Sequence, residues 1–563
     1  MKKIIFLLFF VFLTNINSQN PLHTSDYSNQ VKWVDSVYNS LSIDEKIGQL
    51  FTVWVATKYG DDEINEISKL IEDYHLGGLI FSLGNIKDQA LAINHFQKIS
   101  NVPLLISMDA EWGIGMRLSD AFSFPYNMTL GAIKNDSLIY AVGKRIGYHA
   151  KRLGVQINFA PVVDVNTNPR NPIIGSRSFG EDKYNVARKG VSYLKGMHYH
   201  GIMGAAKHFP GHGDTETDSH KTLPSISFSQ DRINKIELYP FKELIKNNLD
   251  GIMTAHLNIP SLDKKNISTL SKKIINDLLI EDLKFNGLVI TDALDMKAIV
   301  DFSEDEHPDI TALNAGNDLL LMPENIVKSF KEIKKAYKKN KISEKRLMTA
   351  VKKLLSAKYK SGLSSFKPIQ TENIVEDLNQ DVDFALLDKL AEESITAVKN
   401  SNNNIPFNIS SEESIGYISF GDDSNMIFYD YLNMYDKVDH LNKLNNDSLI
   451  EKVNSYSKII IGLHKSDSSP FNDYKFTDEE VQIIEKIKDN NITLVIFAKP
   501  YSLMDIEIDG IESILVSYQN SNVFQKKAAQ AIFGAIDVKG VLPVTINKKI
   551  PVNTSLEIKK KKS

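Results

Sequence analysis

The chain reads as an α/β protein, an N-terminal (β/α)8 TIM barrel followed by a smaller αβα sandwich domain. Three observations point there. Apolar runs of strand length alternate with amphipathic helical patterns, eight such pairs precede residue 360, and the alternation resumes after residue 390. The strands expected in the first unit are Phe51–Val55, Gly78–Ser82, Leu104–Asp109, Val155–Ala160, Met203–His208, Gly251–His256, Leu288–Asp292 and Asp318–Met322. Each is close to continuously apolar, as a parallel strand covered on both faces must be.

The helices between them carry their own signals. Ser42-Ile43-Asp44-Glu45 has the spacing of a capping box ahead of the first strand. Asp61 to Tyr74 sets Ile64, Ile67, Leu70 and Ile71 on one helical face. Further helices are expected over Ser137–Leu153, Asp182–Tyr199, Asp231–Asn247, Ser271–Lys284 and Ser343–Lys360. Eight strand–helix pairs over roughly 320 residues is the count of a closed barrel. An open doubly wound sheet would share that periodicity. The polar residues favour the barrel: Asp109, His208, His256 and Asp292 fall at the C-terminal ends of four different strands, where barrel enzymes keep their reacting groups.

The organisation that follows is a signal peptide over residues 1–18, a barrel over 40–360, a linker over 361–390, the second α/β unit over 391–555 and a basic tail over 556–563. The linker holds Pro368 and Asn373 in a polar stretch. The second unit has strands expected at Ile415–Phe420, Lys458–Leu463, Thr493–Ala498 and Ile514–Ser517, with helices such as Thr477–Lys488 and Asn522–Phe533. At the N-terminus, Met1-Lys2-Lys3 precedes ten apolar residues, Ile4 to Leu13, and a polar stretch ending at Ser18. This is export-signal architecture, too short for a membrane span of about 20 residues. A periplasmic or extracellular location is expected, with no membrane span in the mature chain.

Composition narrows the chemistry. Hydrophobic residues make up 42% and charged residues 24%, so the chain is globular rather than disordered. The net charge of −4 gives no basic footprint for nucleic acid. With no cysteine, disulfides, iron–sulfur clusters, thiolate zinc, cysteine nucleophiles and an N-terminal lipidation cysteine are all excluded.

The chemistry concentrates in Lys207-His208-Phe209-Pro210-Gly211-His212-Gly213-Asp214-Thr215-Glu216-Thr217-Asp218-Ser219-His220. His208 and His212 have the spacing of a helical metal pair, but Pro210, Gly211 and Gly213 oppose a helix, so no metal site is expected. In an extended loop, the Asp218 carboxylate can reach one ring nitrogen of His220, fixing its tautomer and supporting its charged form. Such a histidine exchanges protons near neutral pH. A second element, Gly287 to Met296, ends an apolar strand on Asp292. A carboxylate there is costly unless it works, although it would also serve as a helix N-cap. These features allow a hydrolase with an aspartate nucleophile and a His–Asp proton-transfer pair, and equally a barrel lyase.

The same segments resemble those of bacterial β-N-acetylglucosaminidases of glycoside hydrolase family 3. Lys207 to Gly213 with Asp218-Ser219-His220 is similar to the family's signature. Ala160 to Val165 with Asn168-Pro169 and Asn171 to Gly180, and Thr291 to Met296, resemble two further stretches. Asp109-Ala110-Glu111-Trp112-Gly113 with Arg117 resembles a sugar-binding segment in which two glycines commonly follow the glutamate; here Trp112 stands first. Weaker likeness continues through Ser394–Asn400 and Gly540–Thr545.

The resemblance implies a retaining exo-β-N-acetylglucosaminidase acting on a carbohydrate, either peptidoglycan fragments or chitooligosaccharides. It implies Asp292 as nucleophile and His220, oriented by Asp218, as acid/base. Asp109, Arg117, Arg177, Lys207 and His208 would bind the sugar, with no metal or organic cofactor. The second domain is assigned a structural role or one wall of the sugar site. The alternatives are a family 3 β-glucosidase or β-xylosidase, an N-acetylglucosaminide phosphorylase and a non-catalytic sugar-binding protein.

Overall fold

The computed structural model describes residues 20–216, 223–300, 306–408, 413–442 and 446–561. The segment read as an export signal, residues 1–18, and the pair Asp218 and His220 lie outside the described residues.

Eight short strands line up in chain order: β1 Phe51–Val55, β2 Gly78–Phe81, β3 Leu105–Met108, β4 Ile157–Asn158, β5 Met203–Phe209, β6 Gly251–Thr254, β7 Leu288–Thr291 and β8 Leu320–Leu321. Each pairs in parallel with its neighbour in the order β7-β6-β5-β4-β3-β2-β1-β8. The ring closes between β7 and β8 through a parallel bridge at Ile290 and Leu319. There the Leu319 N–H donates to the Val289 carbonyl and the Thr291 N–H to the Leu319 carbonyl, both at 3.1 Å. Closure decides for the barrel over an open sheet.

The helices form where local chemistry starts and stops them. Ser42 and Glu45 make both reciprocal bonds of the capping box. Asp61–Tyr74 opens on Asp61, Asp62 and Glu63, which suit the positive end of the helix dipole, and stops at left-handed His75. The expected helix Asp231–Asn247 is instead two, Gln230–Lys235 and Leu238–Lys246. Pro240 is the cause. Its ring collides with the carbonyl four residues back, at Ile236, yet it is tolerated in the first turn of a new helix. The Ser271–Lys284 stretch contains a π-helix, Lys273–Asp282, a bonding period that apolar spacing does not distinguish.

The second unit is a six-stranded sheet of β9 Thr396–Asn400, β10 Ile415–Phe420, β11 Val438–His440, β12 Lys458–His464, β13 Ile492–Phe497 and β14 Ser513–Val516. Its order is β11-β10-β12-β13-β14-β9, parallel except for β9, which runs antiparallel to β14. Four strands were expected; β9 and β11 are additional edge strands. Alternate residues feed two separate cores, Ile459, Ile461 and Leu463 on one face and Ile460 on the other. Helix Asp478–Ile487 covers the first face and helix Asn522–Phe533 the second, which makes the sandwich.

The segment expected to be a linker, 361–390, holds a helical turn at Ile374–Asp377 and the first part of helix Asp381–Ser394. Asp383 secures that helix. It is fully buried, and Arg145 grips it through Nε at 2.7 Å and Nη2 at 2.9 Å, while His149 Nε2 lies 3.1 Å away. The two domains share a core, since Met128 and Ala132 of the barrel pack into the first face of the sandwich. No described helix is long and apolar enough to cross a membrane.

Candidate active site

A cavity of about 650 Å³ opens at the C-terminal ends of the barrel strands. Asp109, Arg117, Arg177, Lys207, His208 and Asp292, six of the eight residues picked out in the sequence, all line it. They reach it from different strands: Asp109 follows β3, Lys207 and His208 lie on β5 and Asp292 follows β7. The other two, Asp218 and His220, lie outside the described residues.

The cavity floor is a lattice of opposite charges. Lys207 Nζ donates to Asp109 Oδ1 at 2.7 Å and lies 2.8 Å from Glu111 Oε1. Arg177 takes Glu111 in a two-pronged grip, Nε to Oε2 at 2.9 Å and Nη2 to Oε1 at 2.7 Å. Arg117 Nη2 holds the second oxygen of Asp109 at 2.8 Å. Burial alone would push the Asp109 and Glu111 carboxyls up. Lys207 with Arg117 at the first, and Arg177 with Lys207 at the second, outweigh it and keep both below the usual carboxylate range. Such paired groups form a rigid set of donors and acceptors, suited to a ligand rich in hydroxyls.

The turn after β5 is organised by Asp164, which is fully buried. Its Oδ1 accepts the backbone N–H groups of His208, at 3.1 Å, and His212, at 2.7 Å, while Oδ2 accepts from His208 Nδ1 at 2.7 Å. The proton on Nδ1 leaves His208 Nε2 turned toward Arg177 Nη2, 3.4 Å away. Burial lowers the His212 imidazole to about 4, with His208 adding to the effect. As expected, His208 and His212 do not form a helical pair. Gly213 explains part of the motif, because a β-carbon there would sit 2.0 Å from the Val165 carbonyl oxygen.

Asp292 closes the far side. Its N–H donates to the Thr254 carbonyl at 3.0 Å, and its Oδ1 accepts the Ala293 N–H at 2.9 Å. Burial would raise its carboxyl, but His208 and His256, helped by the Ala293 N–H and Lys207, outweigh it and hold it below the usual range. An ionised carboxylate therefore faces the cavity beside the charge lattice, the condition for a nucleophile or an electrostatic stabiliser.

Sequence reasoning placed Glu111 and Asp164 inside motifs without giving them a role, and missed Phe471. Asp164 interrupts the apolar run Val162-Val163-Asp164-Val165, the same signal that exposed Asp292. Phe471, on the loop after β12, is 55% exposed and lines the cavity from the second domain. That loop is tied to the barrel by the Tyr126 hydroxyl, which donates to the Asp467 carbonyl at 2.6 Å. Trp112, the departure from the family's glycine pair, packs edge-on against Tyr126 with ring centroids 4.9 Å apart. The change therefore falls in the seam between the domains.

A closed parallel barrel with a charge-lined, ligand-sized cavity at its C-terminal mouth is the arrangement of barrel enzymes. Residues 42–357 match the glycosyl hydrolase family 3 N terminal domain, and the chain belongs to that family. It is 39% identical over 283 residues to beta-hexosaminidase A of Pseudoalteromonas piscicida, covering 46% of this chain and 47% of that one. It is 29% identical over 310 residues to a beta-N-acetylglucosaminidase/beta-glucosidase of Cellulomonas fimi, covering 53% and 54%. The chain thus spans about half the length of these curated relatives. Among solved structures, a family 3 beta-N-acetylglucosaminidase from Paenibacillus sp. str. FPU-7 superposes with a TM-score of 0.75 at 27% identity, covering 91% of this chain and all of that one. A beta-glucoside phosphorylase bound to 2FGlc superposes with a TM-score of 0.80 at 22% identity, a likeness of fold.

Proposed function

We propose that the protein is a retaining exo-β-N-acetylglucosaminidase that removes terminal non-reducing N-acetylglucosamine through a glycosyl-aspartate intermediate. The observation that carries this reading is the position of Asp292, an ionised carboxylate lining the same cavity as the Asp109–Lys207–Glu111–Arg177 lattice. The names of the Pseudoalteromonas and Paenibacillus relatives support the sugar.

In the first step Asp292 forms a bond to the anomeric carbon as the glycosidic bond breaks, and His220 gives its proton to the departing oxygen. In the second, His220 takes a proton from water, which displaces Asp292 and releases the sugar with its anomeric configuration retained. Asp218 holds the His220 ring in the tautomer both steps need. The roles of Asp218 and His220 rest on the sequence motif alone. Asp109, Arg117, Lys207, Arg177 and His208 anchor the sugar, and Lys207 also helps keep Asp292 charged. The N-terminal segment supports export, which would bring the enzyme to peptidoglycan fragments or chitooligosaccharides outside the cytoplasm.

The name of the Cellulomonas relative includes both N-acetylglucosaminidase and glucosidase, so the test compares the two sugars directly. Purified enzyme should hydrolyse 4-nitrophenyl N-acetyl-β-glucosaminide at least about tenfold faster, in kcat/KM, than the glucoside, a difference of about 1.4 kcal/mol. Preference for the glucoside would overturn the substrate assignment. Turnover that climbs steeply with inorganic phosphate and releases a sugar phosphate would replace hydrolysis by phosphorolysis.

A further inference from the structure

His256 lies just beyond β6, is 1% exposed, and touches the backbone next to Asp292. Its Nε2 stands 2.8 Å from the Ala293 carbonyl oxygen and its Nδ1 2.7 Å from Thr269 Oγ1. A carbonyl oxygen only accepts, so Nε2 carries a hydrogen. The Thr269 hydroxyl owns a single proton, and Oγ1 lies 2.6 Å from the Ala255 carbonyl and 3.3 Å from the Thr254 carbonyl, both of which only accept. With that proton directed to the backbone, Oγ1 presents a lone pair to Nδ1, which carries a hydrogen as well. An imidazole ring with two N–H groups is a cation.

The same contacts clamp the residue that follows Asp292. The peptide between Ala293 and Leu294 is held at both ends, its carbonyl by His256 and its N–H by the Leu321 carbonyl of β8 at 2.9 Å. Ala293 in turn donates its own N–H to Asp292 Oδ1. Among the described residues, Lys207 and His208 on β5, and His212 in the turn after it, also act on Asp292 from other elements. Lys207 is engaged with Asp109 and Glu111, and His208 with Asp164.

We propose that His256 is a positioning residue for the reaction: a buried imidazolium that fixes the Ala293 peptide and supplies positive charge to keep Asp292 ionised at the cavity. This rests on the reading of Asp292 as nucleophile. Glutamine in place of His256 keeps an N–H donor for the Ala293 carbonyl and removes the charge. The readout is the pH profile of kcat/KM on a nitrophenyl glycoside, whose good leaving group needs little acid assistance, so that the acidic limb reports Asp292. In His256→Gln the acidic limb should move up by about one pH unit while KM at neutral pH stays within about threefold. Coinciding limbs would overturn the proposal. A second measurement needs no active variant: ¹⁵N spectra of histidine-labelled full chain should show both His256 ring nitrogens protonated at pH 7, and one bare nitrogen would overturn it. Asp292→Asn separates the two claims. Retained turnover in that variant brings down the nucleophile reading and this inference together, whereas an inactive Asp292→Asn beside an unmoved His256→Gln limb brings down this inference alone.

Discussion

Both ends of the barrel bury ion clusters, and the cluster at the mouth lines the cavity that holds Asp292. At the N-terminal end, Asp250 precedes β6 and Asp318 precedes β8, both fully buried. Asp250 accepts the Gly204 N–H at 2.9 Å, pairs with His198 Nε2 at 2.6 Å and receives Lys360. Asp318 takes Arg346 at 2.8 Å, Lys353 at 2.9 Å and the Val289 N–H at 3.1 Å. Lys360, Arg346 and Lys353 all lie on helix Glu344–Lys360, so these carboxylates fasten that helix to the foot of the barrel. At the mouth, Asp109, Glu111, Lys207 and Arg177 make bonds of the same lengths but border a cavity. Buried charge by itself therefore marks construction; buried charge on the edge of a cavity marks a site.

The largest effect that would test this division is expected at Asp292. Asp292→Asn should cut turnover by at least about a thousandfold without lowering the unfolding midpoint, because the amide keeps the shape but not the nucleophile. Next come paired substitutions at the two ends. Lys207→Met should lower kcat/KM about a hundredfold, since it strips the cation from Asp109 and Glu111. Asp250→Asn should instead cost about 3 kcal/mol of stability, read from denaturant unfolding, with turnover per folded molecule unchanged. Loss of activity in Asp250→Asn with stability intact would erase the distinction between the ends.

The pH dependence of stability is a subtler probe. Two buried histidines, His212 and His464, are held at about 4, so the unfolded chain takes up protons first as pH falls below about 6.5. Stability should begin to decline there, and their share is spent by pH 4. Asp109, Asp164 and Asp250 are depressed in the folded chain, against the effect of burial, by Lys207, His208 and His198 respectively among their partners. Their stabilisation is complete above the unfolded carboxylate value, near 3.9, and is lost as pH falls through the lower folded values. Thermal melts should thus show a gentle slope from pH 6.5 and a steep one below pH 4; a flat profile down to pH 3 would contradict the assignment of these groups as charged partners.

The smallest effect belongs to the second domain. Phe471→Ala should raise KM for a disaccharide severalfold and leave kcat within about twofold, as expected from one exposed aromatic contact worth about 1 kcal/mol.

Much of the barrel could be read from the sequence because its strands are continuous apolar runs. Phe51–Val55 and Asp61–Tyr74 have the bounds that pattern and end signals imply. What escaped is physically different. Val438–His440 pairs through its backbone with one hydrophobic residue in three, so no run announces it. Thr396–Asn400 pairs antiparallel at a sheet edge, which the βα alternation does not foresee. The site shows the same split. Asp109, Lys207, His208 and Asp292 end or interrupt apolar strands and stand out. Glu111 and Phe471 sit in irregular loops, and only the folded chain reveals that one joins the charge lattice and the other crosses from a separate domain.

The claim on which the account turns is that Asp292 becomes covalently bonded to the sugar. Inactivation with a 5-fluoro glycosyl fluoride of N-acetylglucosamine, followed by proteolysis and mass mapping, tests it directly. The expected result is one hexosaminyl adduct on the peptide containing Asp292. An adduct on any other residue, or turnover of the inactivator with none, would contradict the account.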